Sequence, residues 1–82
     1  MEYKVEFKPK SLKDSKKIPQ DKLKQIFSKI EEMRFDLKGD VKHLTNYSPE
    51  YRLRVGKYRV LFEIEENTIV IYRIRHRKNI YE

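Results

Sequence analysis

Apolar residues recur along this chain with two different periods. In 2–7, EYKVEF, the residues Tyr3, Val5 and Phe7 alternate with charged ones, the two-residue repeat of a strand with one buried face. Pro9 suits the first turn of a helix, and Leu12 with Lys16, Lys17 and Ile18 completes a short helical stretch. Pro19 then opens a second helix. There Leu23, Ile26, Phe27, Ile30 and Met33 recur at helical spacing and form one apolar stripe, while Lys22, Lys24, Lys29 and Glu32 take the solvated side. The stretch 37–50 carries Gly39, Asn46 and Pro49 and reads as a loop crossing back to a sheet. From 51 onward the two-residue period returns. Tyr51, Leu53 and Val55 face one way, Gly56 and Lys57 make a tight turn, and Tyr58, Val60, Phe62 and Ile64 follow on the core side. After a turn at 65–68, the last strand runs from Ile69 to Arg75. Its two faces are expected to be Val70, Tyr72 and Ile74 towards the core, and Ile69, Ile71, Arg73 and Arg75 away from it.

This order, β-α-α-β-β-β, predicts an α+β domain with two N-terminal helices packed on one face of a small antiparallel sheet. The chain has 82 residues, read as one domain over 1–82 with no internal repeat. A domain of this size buries roughly 60% of the surface its unfolded chain exposes, enough for one core and one site. If the tyrosines and aliphatics face the helices, Arg52, Arg54 and Arg59 share the uncovered face. Leu61, Ile69 and Ile71 are expected on it too, towards the other end.

Charge sharpens this picture. The chain carries 20 Lys plus Arg against 13 Asp plus Glu, a net charge of +7. An excess of this size points to a polyanionic partner, most often nucleic acid. Its distribution is more telling. Six of the seven arginines lie in the last 32 residues, whereas most lysines lie in the first half among acids. Arginine is the side chain of bidentate phosphate contact, and lysine that of solvated faces. Cysteine is absent, which excludes disulfides and thiolate chemistry. The N-terminal stretch lacks a long apolar segment, so neither a signal peptide nor a membrane span is expected and the cytoplasm is the default location.

No phosphate-binding glycine loop, dinucleotide fingerprint, metal-ligand spacing or Ser-His-Asp order appears. Carboxylates are scarce in the basic half, so neither a metal nor another cofactor is expected. RNA can be cut without a metal. Its 2′-hydroxyl attacks the adjacent phosphate when the geometry is in line and the growing negative charge is stabilised, which arginines do well. The C-terminal RIRHRKNIYE adds Arg73, Arg75, His76, Arg77, Lys78 and Tyr81 as candidates. Tyrosine is a poor base at its reference pKa of about 10, but neighbouring cations favour its phenolate.

The pairing of YRLRVGKYRVLFEI with RHRKNIY resembles the RelE/ParE toxin superfamily, and its RelE branch most closely. The resemblance covers the whole chain. It implies the toxin of a type II toxin–antitoxin pair: a ribosome-dependent endoribonuclease that cuts messenger RNA in the A site through the 2′-hydroxyl, against the 16S ribosomal RNA. It also implies an acidic, RelB-like antitoxin that holds the toxin inactive. By the same resemblance the central catalytic arginine falls on Arg59, the C-terminal one on Arg77 with Lys78 as the alternative, and the terminal tyrosine on Tyr81. Arg52 and Arg54 stand where the best-known members have lysines. Lys57, Arg75 and Lys78 complete the RNA-binding set, and His76 is a reserve acid or base. Two alternatives stand beside this reading: a ParE-like inhibitor of DNA gyrase on the same fold, and a non-catalytic module that binds RNA or antitoxin.

Overall fold

The structure, a computed structural model, describes residues 1–79. Strand β1 (Lys4–Phe7) leads into helix α1 (Pro9–Ser15) and helix α2 (Gln20–Met33). Strands β2 (Val41–His43), β3 (Tyr51–Val55), β4 (Tyr58–Glu65) and β5 (Thr68–His76) follow, then a single 3-10 turn at Arg77–Asn79. The five strands form one sheet in the order β1-β5-β4-β3-β2. Its pairings are antiparallel except β1 with β5, which is parallel. The α+β class and the element order are as expected. Two features are additions: the parallel edge, and β2, which forms within the stretch expected to be a loop.

Alternation in the strands and the stripe on α2 build one core. Ile26, Ile30 and Met33 of α2 pack on Leu53, Val55, Val60, Phe62, Ile69, Ile71 and Ile74, all buried. Phe27 departs from the expected stripe. It lies at the margin, 37% exposed, with its ring edge-on to Phe7 at 5.7 Å. The gap between β3 and β4 is a two-residue loop, Gly56 and Lys57, closed by the Val55–Tyr58 pair. Gly56 has φ +57°, the conformation such a loop demands and glycine supplies without strain.

The two faces of β5 differ from the expectation. Ile69 and Ile71 face the helices, and Val70 faces away. The cause is a β-bulge: Leu61 pairs with Arg73 but Phe62 pairs with Ile71, so Tyr72 is an extra residue and the alternation flips across it. Ile74, beyond the bulge, is in the core as expected. On the uncovered face, Leu61 lies between Arg52 and Arg73, and Val70 between Glu63 and Glu6. Both are buried, at 8% and 3% exposure, in a frame of long polar stems.

Helix α1 finishes what β1 begins. The Lys8 N–H donates to the Ile71 carbonyl at 2.8 Å, one rung past the end of β1. Beyond it the Asp14 carboxylate accepts the Ile74 N–H at 3.0 Å, standing in for the strand that is no longer there. Buried Ser11 is satisfied locally, its hydroxyl donating to the Lys8 carbonyl. Among the described residues no helix is long and apolar enough to cross a membrane.

Candidate nucleic-acid interface

Register places three arginines abreast on three neighbouring strands: Arg54 opposite Arg59, and Arg59 opposite Arg75. Like charges directly opposite one another destabilise a sheet. A row of three is therefore a face able to receive an anion. One row along, Arg52 stands opposite Leu61, with Lys42 of β2 on its other side. The alternation that buries Leu53, Val55 and Val60 necessarily turns these arginines outward.

Arg59 holds the middle of the row and is half-buried. Its Nη1 donates to the Gly56 carbonyl at 2.8 Å and to the Tyr58 carbonyl at 2.9 Å, which pins the guanidinium over the β3–β4 loop. Burial and the charges of Arg52, Arg54 and Arg77 lower its pKa, with Asp40 acting in the opposite sense. A guanidinium remains protonated regardless. The shift reflects a cation held among cations. Arg77 belongs to the same cluster. Its N–H donates to the Lys57 carbonyl at 2.7 Å, tying the 3-10 turn to the β3–β4 loop, and its charge reaches Arg59. Lys57 and Lys78 are both exposed beside it. Tyr81 lies outside the described residues.

Three of the candidate residues are not gathered into this cluster, and the first of them, Arg73, is paired with Asp14. Arg75 is opposite Arg59 by register, yet its charge acts on Asp14, and it lines a depression between α1 and β5 with Asp14, Lys17, Arg73 and His76. His76 pairs with Tyr58 and so faces the helix side. Its ring stands edge-on to the Tyr58 ring at 5.4 Å, and its Nδ1 accepts the Lys78 N–H at 3.2 Å. That contact assigns the ring proton of the neutral form to Nε2.

Two acids organise the arginines, and neither was singled out from the sequence. Asp40 precedes β2. Its carboxylate accepts from Arg54 Nε at 2.6 Å and from Arg52 Nη1 at 3.3 Å. Its carbonyl accepts the Arg54 N–H at 3.0 Å and Arg52 Nη1 at 3.2 Å. Burial would raise its pKa, but the hydrogen bonds and charges of Arg52 and Arg54 outweigh it and the net direction is down. The Arg52 side chain is 17% exposed and the Arg54 side chain 55%, so Arg54 is the more reachable of the pair. Asp14 accepts from Arg73 Nε at 2.8 Å and from Nη2 at 3.0 Å. In the sequence it is the one acid of a lysine-rich stretch, KSLKDSKK, and that isolation was the available signal. Among the described residues no group of three His, Cys, Asp or Glu side chains is placed to hold a metal ion.

A family model for the ParE toxin of type II toxin–antitoxin systems matches residues 5–81. The chain belongs to that toxin family. Two curated relatives carry RelE names. Toxin RelE3 of Methanocaldococcus jannaschii is 40% identical, covering 96% of this chain and 96% of that one. RelE1 of the same organism is 32% identical over the whole of this chain and 98% of its own. Among solved structures, the toxin of a RelB-RelE antitoxin–toxin complex from Methanococcus jannaschii superposes with a TM-score of 0.80 at 38% identity, covering 94% of this chain and 95% of that one. A RelE-RelB complex from Pyrococcus horikoshii shares the fold, with a TM-score of 0.77 at 22% identity over 96% of this chain and 99% of that one. The protein is thus a toxin of a type II toxin–antitoxin system of the RelBE kind.

Proposed function

We propose that this toxin is an endoribonuclease that cuts messenger RNA in the ribosomal A site by attack of the 2′-hydroxyl on the adjacent phosphate. The observation that carries the reading is Arg59, half-buried among Arg52, Arg54 and Arg77 and anchored through backbone carbonyls. A guanidinium held in this way needs little rearrangement to meet the charge that grows on the phosphate oxygens, the condition under which electrostatic stabilisation is most effective. Arg54 and Arg52 hold the phosphate on one flank. Arg77 closes the other, and its electrostatic reach to Arg59 supports it over Lys78 in the C-terminal catalytic role. Lys57, Arg75 and Lys78 extend the positive surface along the RNA backbone. The arginines are poor proton carriers. Tyr81 is the proposed acid or base. His76, turned to the helix side, serves the site better by anchoring Lys78 through its Nδ1. No step is routed through a metal or another cofactor.

The partner that silences this activity is proposed to be an acidic, RelB-like antitoxin whose carboxylates meet the arginine face. The solved RelB-RelE complexes support this, as does the net charge of +7. Ile69 and Ile71 do not contribute to the docking surface, because the bulge turns them into the core. The proposed site of action is the cytoplasm, where messages are translated.

The test is to add purified toxin to translating ribosomes and map the cuts. Cleavage inside the codon in the A site, and none on the same message without ribosomes, is the expected result. The name of the matching family favours a second reading, inhibition of DNA gyrase. Intact messages together with blocked supercoiling would select it, and intact messages with unaffected gyrase would leave a binding module.

A further inference from the structure

The carboxylate of Asp40 sits between two arginines of this face, Arg52 and Arg54. Its two oxygens are taken by two different arginines, Oδ2 by Arg54 and Oδ1 by Arg52, as the two non-bridging oxygens of a phosphodiester would be. The backbone delivers it there. Gly39 has φ +113°, and a side chain on it would meet Leu53 Cδ1 at 3.2 Å, so the chain turns tightly against β3 immediately before Asp40. Val41 then pairs with Leu53 and fixes the register. The Asp40 carbonyl is bonded to Arg54 N–H independently of the side chain. The fold at this point therefore does not require the carboxylate. Asp40 also opposes the cationic neighbours of Arg59. It is 44% exposed at the side chain, and Arg52 keeps the Asp40 carbonyl as an acceptor when the carboxylate swings aside.

We propose that Asp40 is a built-in competitor for the phosphate site. In the free toxin it occupies Arg52 and Arg54, and an RNA phosphate must displace it before those arginines bind substrate. This rests on the ribonuclease reading for the identity of the displacing group. The consequence is selectivity. Loose RNA gains too little from two already occupied arginines to bind well, whereas a strand presented by a larger assembly brings the extra contacts that displacement needs.

The experiment is fluorescence-anisotropy titration of the full chain with a short labelled oligouridylate, and with its deoxy counterpart, across a salt series. Asp40→Asn should bind both about threefold to fivefold more tightly at low salt, the range typical of one exposed ion pair. Its log-affinity slope against log salt should be steeper by about 0.7, and the gap should close as salt rises. In an Arg54→Ala background the same substitution should gain much less, because the carboxylate would have less left to block. Equal or weaker binding by Asp40→Asn with an unchanged slope overturns the proposal. So does loss of folding in both Asp40→Asn and Asp40→Ser, which would make Asp40 a structural tie. If the wild-type toxin cuts no message while Asp40→Asn still binds more tightly, the ribonuclease reading fails and the competitor role stands.

Discussion

Arg73 and Arg59 lie on adjacent strands and on the same face of the sheet, yet their surroundings are opposite in kind. Arg73 gives Nε and Nη2 to the two oxygens of Asp14, and its pKa is raised chiefly by that hydrogen bond. Arg59 spends its hydrogen bonds on backbone carbonyls, and its pKa is lowered by burial and by three neighbouring arginines. The first is a finished ion pair that also supplies an acceptor for Ile74 and fastens α1 to the end of β5. The second is an unfinished one, held ready at a cost in stability. A sheet gains nothing structural from cations set directly opposite one another. The contrast separates a stabilising arginine from the one we propose as functional.

The contrast breaks first, and with the largest effect, at Arg59→Ala. Loss of one preorganised donor at a reacting phosphate typically lowers the rate about 100-fold to 1000-fold. Its stability should shift by no more than about 1 kcal/mol, because relief of the like-charge crowding offsets the two lost bonds to carbonyls. Single-turnover cleavage alongside a thermal melt reads both. Retention of full cleavage would move the site elsewhere.

Asp14→Asn should show the converse. It strips charge-assisted bonds from Arg73 and weakens the acceptor for Ile74, for a loss of about 1.5–3 kcal/mol in denaturant unfolding. Cleavage at a temperature where the variant is folded should stay near wild type. Lys29→Ala, which removes an exposed ion pair with Glu32 on α2, should change neither readout and serves as the control. Arg34 is unsuitable for that purpose. It bonds Glu2, Glu31 and the Tyr3 carbonyl and so staples β1 to the end of α2.

A smaller effect follows from pH. Burial pushes the Asp14 carboxyl up, but the bonds from Arg73 and Ile74 and the charges of Arg73 and Arg75 prevail and hold it below its ordinary value. The unfolded chain therefore takes up that proton at a higher pH than the folded one. The contribution of Asp14 is complete above the ordinary aspartate pKa of about 3.9 and is lost as pH falls through the lower folded value. Asp14→Asn should make the acid limb of the stability profile shallower and leave the neutral region flat. An unchanged acid limb would remove Asp14 from the account.

Much of this was legible in the sequence, for a physical reason. Strand parity depends only on alternation, so the outward set Arg52, Arg54 and Arg59 followed from the inward set Leu53, Val55 and Val60. What parity cannot foresee is an inserted residue. Tyr72 looks like any aromatic in an alternating run, and only the cross-strand pairing reveals it as the bulge that exchanges Val70 for Ile69 and Ile71. The parallel pairing of β1 with β5 joins the two ends of the chain and leaves no local trace. Asp40 escaped for a related reason. Its meaning lies in two arginines 12 and 14 positions later, brought to it by a three-residue strand inside an apparent loop.

The most direct test of the central claim is the chemistry of the cut ends. Attack by the 2′-hydroxyl on a phosphate held by Arg59 leaves a 2′,3′-cyclic phosphate on the upstream fragment and a 5′-hydroxyl on the downstream one. That is the expected product from wild-type toxin on translating ribosomes, and it should be lost in Arg59→Ala. A 5′-phosphate on the downstream fragment would mean that water or another nucleophile attacked, and would contradict the account.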